Sequence, residues 1–211
     1  MVQPASRGPG RPPAAKAAET RQRILRAARE VFSERGYGAA TFQAIAIRAD
    51  LTRPAINHYF ANKRVLYLQV LEETTDAVVA ASTERARREA TLAARVNAFL
   101  EGTIEAETKN RTAAAFLITA TLEAQRHPEL HRPHADPVGT TREFLIWAIN
   151  DGIERGELES GTDAAALAAT LLSVLLGVGF YAGYVGNRHE FDNITDQLKL
   201  MLASSLNHQH K

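Results

Sequence analysis

Cysteine is absent from the 211 residues, which excludes disulfides and thiolate chemistry and fits a reducing, cytoplasmic setting. A G-x-S-x-G turn and a phosphate-cradling glycine loop are also missing. The carboxylates fall mainly on polar helical faces, so neither an enzyme nor a bound cofactor is expected. No secretory leader is expected either, because the first apolar run is short and the start is rich in Pro, Arg and Gly. Charge of either sign is missing from residues 164–187, a run long enough to rival a membrane span. Thr170, Ser173, Gly177, Gly179, Gly183 and Gly186 interrupt it and no basic clusters flank it, which favours a helix buried at a subunit interface, with Gly179 and Gly183 admitting a close backbone.

What is present is 45% hydrophobic, enough for one large or two modest domains. The net charge of +1 hides an asymmetry: residues 1–64 hold 12 Lys and Arg against 4 Asp and Glu, and the remainder holds 13 against 20. A basic head on an acidic body is what attraction for phosphates in one part of the chain would produce, and it argues against nucleic-acid coating by the whole chain.

Within the head, TFQAIAIRADLTRPAINHYFANK (41–63) reads as two short helices and the start of a third. Thr41 and Thr52 are N-cap residues, and Pro54 sits in a first turn, where a missing N–H costs nothing. Phe42, Ile45, Ala46 and Ala49 share one face of the first helix. The second helix turns Ala55, Ile56, Tyr59 and Phe60 inward and Arg53, Asn57 and His58 outward. Asn62 caps the third helix, with Lys63 in its first turn, where a phosphate would offset the unfavourable helix dipole. This is a helix-turn-helix pattern, though many all-helical proteins contain such a corner without touching DNA. In a DNA-binding one the second helix would read bases through Arg53, Asn57 and His58, arginine suiting guanine edges and asparagine adenine edges.

Residues 20–67 resemble the N-terminal domain of the TetR (tetracycline-repressor-like) family. The likeness rests on RILxAAxxxFxxxGY, on T-x-x-x-I-A and on YFxNKxxLY. The family commonly has glycine where this chain has Asp50, and two aromatics and a histidine where it has Asn57, His58 and Tyr59. The resemblance implies an all-α protein: an N-terminal three-helix helix-turn-helix domain, then a larger helical ligand-binding and dimerisation domain. The expected division is a disordered basic arm (1–19), a DNA-binding domain (20–64) and an effector-binding and dimerising domain (65–207). The expected DNA-binding set is Thr41, Gln43, Thr52, Arg53, Pro54, Ala55, Asn57, His58, Tyr59 and Lys63.

Along the chain, Arg7, Arg11 and Lys16 make the start basic, and a solubilising tail is expected; the likeness of Gly10-Arg11-Pro12 to a minor-groove hook is the alternative. A first helix is expected over 20–35, capped near Thr20 and ended by Gly36 and Gly38 around Tyr37. A long helix should run from Asn62 to about Ala90, with Val65, Leu66, Leu68, Leu71, Val78 and Val79 inward. Further helices are expected over 91–107, 110–126 (Phe116, Leu117, Thr119 and Leu122 inward), 138–155, from a cap at Thr162, and over 191–206, with Met201 on its apolar stripe. The last two are expected to pair with a second copy, as the family's dimeric four-helix bundle implies.

The family also implies an apolar effector cavity, for which Phe99, Phe116, Phe144, Trp147 and Tyr181 are candidates; for each, ordinary core packing is the alternative. His127, His131 and His134 have a metal-like spacing, but no carboxylate or cysteine set completes a site and no metal is expected. The function expected is sequence-specific binding to a palindromic DNA operator, with a small-molecule effector releasing a repressor. The rivals are a membrane-anchored or a non-DNA helical ligand-binding protein.

Overall fold

The computed structural model describes residues 13–109, 112–185 and 188–207; the hook-like triplet at residues 10–12 lies outside them. Ten α-helices make up the described chain: α1 (Pro13–Ala39), α2 (Phe42–Arg48), α3 (Arg53–Tyr59), α4 (Lys63–Thr75), α5 (Ala81–Arg87), α6 (Leu92–Lys109), α7 (Ala113–Arg126), α8 (Pro137–Glu154), α9 (Ala164–Phe180) and α10 (Arg188–Asn207). No strand occurs among the described residues. The expected long helix is α4 and α5 joined by a π-helical segment, Asp76–Ala80, and a second such segment, Tyr181–Val185, follows α9.

α1 starts well before Thr20. That residue is not a cap: its hydroxyl donates to the Lys16 carbonyl oxygen at 2.9 Å, inside the helix. The helix breaks at Gly36, whose φ of 71° and ψ of 173° belong to a region open essentially to glycine alone. α9 is capped by Asp163 rather than Thr162, its carboxylate accepting from the Ala165 and Ala166 N–H groups. Gly156, at φ 75°, follows the end of α8.

Ile24, Ala28, Val31 and Phe32 of α1 pack against α2, α4 and α7. Phe32 meets Tyr67 of α4 edge-on at 5.0 Å, and Tyr67 lies 5.7 Å from Phe116 of α7. Edge-to-face pairs of this kind add about 0.5–1.5 kcal/mol beyond burial. The expected domain boundary at 64/65 falls in the first turn of α4, and the buried side chains on its two sides form one continuous core. Val65, Leu122 and Met201 were expected inside but are exposed: α4 shows that part of its turn to solvent, and Leu122 and Met201 sit on outward faces.

The apolar segment Ala164–Val185 has the length and hydropathy of a membrane span, yet only Ala168, Leu171 and Leu172 of it are buried within the chain. Ala166, Ala169, Thr170, Ser173, Gly177 and Phe180 form an exposed stripe along α9. Gly179 and Gly183 do not belong to that stripe. Gly183 packs so close to α7 that an added Cβ would lie 2.8 Å from the Ala115 backbone, and Gly179 faces Ile118. The small size of Gly183 serves packing inside the protomer.

Candidate nucleic-acid interface and body cavity

The two-helix corner of the head is built by its caps. The Thr41 hydroxyl accepts from the Ala44 N–H at 3.1 Å, that of Thr52 from the Ala55 N–H at 3.4 Å, and the Asn62 side chain from the Val65 N–H at 2.9 Å. Between α2 and α3 the chain turns through Asp50 at φ 51°, where asparagine, aspartate and glycine are the usual occupants. Ile45, Ala46, Ala49, Ile56 and Phe60 are buried and fix the crossing of the helices.

That packing leaves Thr41, Gln43, Thr52, Arg53, Pro54, Asn57 and His58 exposed, whereas Ala55 and Tyr59 are half-buried. Arg53 and Asn57 carry no hydrogen bond or ion pair to the described residues, so their donors are available to a partner. Arg48, not singled out from the sequence, is used internally: its guanidinium bonds Glu34 at 2.8 and 2.7 Å and Glu30 at 2.9 Å, clamping α2 to α1. The Arg48 hydrogen bonds hold the Glu34 carboxyl below its usual range.

Lys63 departs from expectation. Its ammonium donates to the carbonyl oxygens of Tyr37 (2.7 Å), Gly38 (3.1 Å) and Ala40 (3.0 Å) and sits 4.5 Å from the Tyr37 ring centre. All three of its N–H groups are engaged. The cation at the start of α4 is compensated by the carbonyls at the end of α1. Burial lowers its pKa, while the nearby Glu123 opposes that shift.

The same junction holds Glu123, missed in the sequence because carboxylates were assigned to polar faces. It follows Phe116 and Ala120 on the inward stripe of α7, a spacing that could have revealed it, and is 6% exposed. Its Oε1 accepts from the Tyr37 N–H at 3.2 Å. His127 lies 3.5 Å from Glu123 and 3.3 Å from Glu129, with its ring edge-on to Tyr37 at 5.4 Å. Among the described residues no group of three or more His, Asp or Glu side chains is arranged so that it could hold a metal ion. Arg64 adds a second tie, donating to the Glu129 carbonyl oxygen at 3.1 and 2.9 Å.

Inside the body lies an apolar cavity of about 110 Å³ between the first π-helical segment and α6, α7, α8 and α9. Of the five aromatic residues expected to line it, only Phe99 does. Phe116 is buried in the head–body core, and Phe144 stacks behind Phe99 at 5.3 Å. Trp147 lies between the guanidinium groups of Arg87 (4.4 Å) and Arg95 (4.5 Å), and the Tyr181 hydroxyl donates to Glu190 at 2.9 Å. Aliphatic residues, Ile118, Leu172 and Leu175 among them, and Phe191 make the wall instead.

Known proteins with similar sequences fit this geometry. Residues 24–70 match the family model of bacterial regulatory proteins, tetR family, and residues 92–207 match that of the C-terminal part of BetI-type transcriptional repressors. The HTH-type transcriptional regulator UidR of Escherichia coli K12 is 26% identical over 77% of this chain and 81% of its own length. The HTH-type transcriptional activator FasR of Mycolicibacterium smegmatis is 44% identical, over 29% of this chain and 28% of its own length. Bacillus subtilis FadR, solved in complex with stearoyl-CoA, shares the fold with a TM-score of 0.70 at 18% identity, over 86% of this chain and 96% of its own. The helix-turn-helix head, the helical body and both family matches agree: this chain belongs to the tetR family of bacterial regulatory proteins and is a DNA-binding regulator of transcription.

Proposed function

We propose that the chain works as a homodimeric repressor of a palindromic operator, and that a small, apolar effector in the body cavity releases it. Residues 20–64 read the DNA and residues 65–207 pair the subunits and take the effector. The observation that carries this reading is the outward face of α3, where Arg53 and Asn57 stand exposed on the basic end of the chain. Thr41, Gln43, Thr52, Pro54 and His58 border that face and supply the surrounding contacts. Two copies joined along the exposed stripe of α9 would set half-sites about 34–36 Å apart, or a multiple of it.

The assignment of reading residues is tested by selecting bound sequences from random duplex DNA, then titrating variants by gel shift at several salt concentrations. Arg53→Ala and Asn57→Ala are each expected to lose about 1–3 kcal/mol of discrimination and to relax the preferred base at one position of each half-site. Wild-type affinity and base preference in both variants would refute the role given to α3.

A further inference from the structure

Two cavities adjoin in the body, and their chemistry differs. The inner one is the apolar cavity described above; the outer one, about 250 Å³, opens beside it and shares Thr121, Pro137 and Val138 as a common wall. Both are far larger than the roughly 10–15 Å³ that one water needs.

No charged residue lines the inner chamber, and its polar side chains are three threonines. Each is already engaged: Thr103 donates to the Leu100 carbonyl oxygen at 2.7 Å, Thr121 to that of Leu117 at 2.9 Å, and Thr141 to that of Pro137 at 2.7 Å. A hydroxyl has one hydrogen to donate, so this chamber has no free side-chain donor for an anion, and an unpaired charge placed there is strongly disfavoured. The two π-helical segments border it through Val78, Val79 and Ala182.

The outer chamber is lined in part by Gln125, His131, Arg132, Asp136 and Arg142. Arg142, on the first turns of α8, has no hydrogen bond or ion pair to a described residue. Arg132 gives one N–H to the His131 carbonyl oxygen at 2.9 Å and keeps its other donors. Asp136 is the one carboxylate of the lining, and its Oδ1 accepts from the Val138 N–H at 3.0 Å, capping α8. The free side-chain donors of the outer chamber are therefore mostly cationic.

We propose that the two chambers form one site for an amphipathic anion, with its apolar chain in the inner chamber and its carboxylate or phosphate head on Arg132 and Arg142. The proposal rests on the effector reading above and adds the class of ligand and the side chains that select it. A ligand filling only the inner chamber leaves the arginines idle; a small polar anion gains nothing from the apolar walls.

The test is isothermal titration of the full chain at low salt with dodecanoate, dodecyl phosphate and dodecanol, each below its aggregation limit. The anions should bind and dodecanol should bind at least about fivefold more weakly, the upper end for one exposed charge contact. Arg132→Gln and Arg142→Gln should each weaken the anions by about fivefold, and leave dodecanol unchanged, as should added salt. The tighter of the two anions tells carboxylate from phosphate. Dodecanol binding as tightly as dodecanoate in the wild-type chain overturns the anion assignment and leaves the effector reading intact, a comparison that needs no variant to fold. Arginine variants that fold and bind the anions as the wild type does overturn it too. If none of the three binds or displaces the protein from its selected operator, the effector reading falls as well.

Discussion

Gly36→Ala and Glu123→Ala should destabilise the protein by much less together than the sum of their separate effects. Gly36 lies in a backbone region nearly closed to other residues, which costs alanine about 1–3 kcal/mol. The new Cβ would also sit 2.6 Å from Glu123 Oε1. The carboxylate ends a flexible side chain and can swing aside, but it then gives up the Tyr37 N–H. A hydrogen bond to a charged group contributes about 1.5–3 kcal/mol. Gly36→Ala therefore costs about 4 kcal/mol, half from the backbone and half from the lost bond. Glu123→Ala loses the same bond, about 2 kcal/mol. In the double variant the bond is lost once, so the total stays near 4 rather than 6 kcal/mol, a coupling of about 2 kcal/mol. At about 2–4 °C per kcal/mol for a chain of this size, the double variant should melt close to Gly36→Ala, whereas strict additivity puts it about 4–8 °C lower. Thermal unfolding followed by circular dichroism, at one protein concentration because oligomers melt concentration-dependently, reads the difference. Additive shifts would refute the contact between α7 and the break in α1.

Lys63→Met should destabilise the fold by about 1.5–3 kcal/mol, because three carbonyl oxygens at the end of α1 lose their donor. It should leave the salt slope of DNA binding unchanged; a slope shallower by about one unit would instead mark a direct phosphate contact. The Arg95 hydrogen bond, aided by Arg155, holds the Asp151 carboxyl below its usual value of 3.8. The stability this lends is present above that value and is lost as the pH falls through the lower folded one. Asp151→Asn should therefore flatten the acid limb of the melting curve against pH below about 3.8, and an unaltered limb counts against the pairing. Ala169→Arg places a charge on the exposed apolar stripe of α9. Light scattering should then find single chains with weakened operator binding; a dimer of wild-type strength would move the pairing surface elsewhere.

The head was legible in the sequence because its signals are local. Thr41, Thr52 and Asn62 each cap the helix that follows them, and inward spacing at Ile45, Ala46 and Ile56 alone marks the crossing. Asp50 in place of glycine still adopts the left-handed turn. The internal partners of Lys63 are not legible in the sequence because they are carbonyls more than twenty residues away, at a helix end whose geometry depends on Gly36. The body was legible as helices but not as a cavity. Aromatic residues are conspicuous in a sequence, yet Phe116 and Phe144 are buried in the core, and the space is lined in part by shorter residues such as Ala113, Ala114 and Gly179. Which gaps stay open depends on how α6 to α9 cross, and periodicity carries no record of that.

α7 is the element through which cavity and head meet. Ala113, Leu117, Ile118 and Thr121 face the cavity, whereas Phe116 packs on Tyr67 and Glu123 holds the Tyr37 N–H. On the reading proposed above, a ligand that displaces α7 must carry Tyr37 along or break its bond, since a close-packed interior repacks between discrete arrangements and does not deform continuously. The ligand can drive that change only by its preference for the released state. If release breaks the Glu123 bond, about 1.5–3 kcal/mol stands against it, and a preference of roughly tenfold to somewhat over a hundredfold is needed to offset that bond alone. Passing from 1:99 to 99:1 between the two states takes about 10⁴-fold preference in all. The strength of this contact therefore shifts the ligand threshold: a weaker acceptor at position 123 lets the heads leave DNA with less ligand, and a stronger one demands a larger preference for the released state.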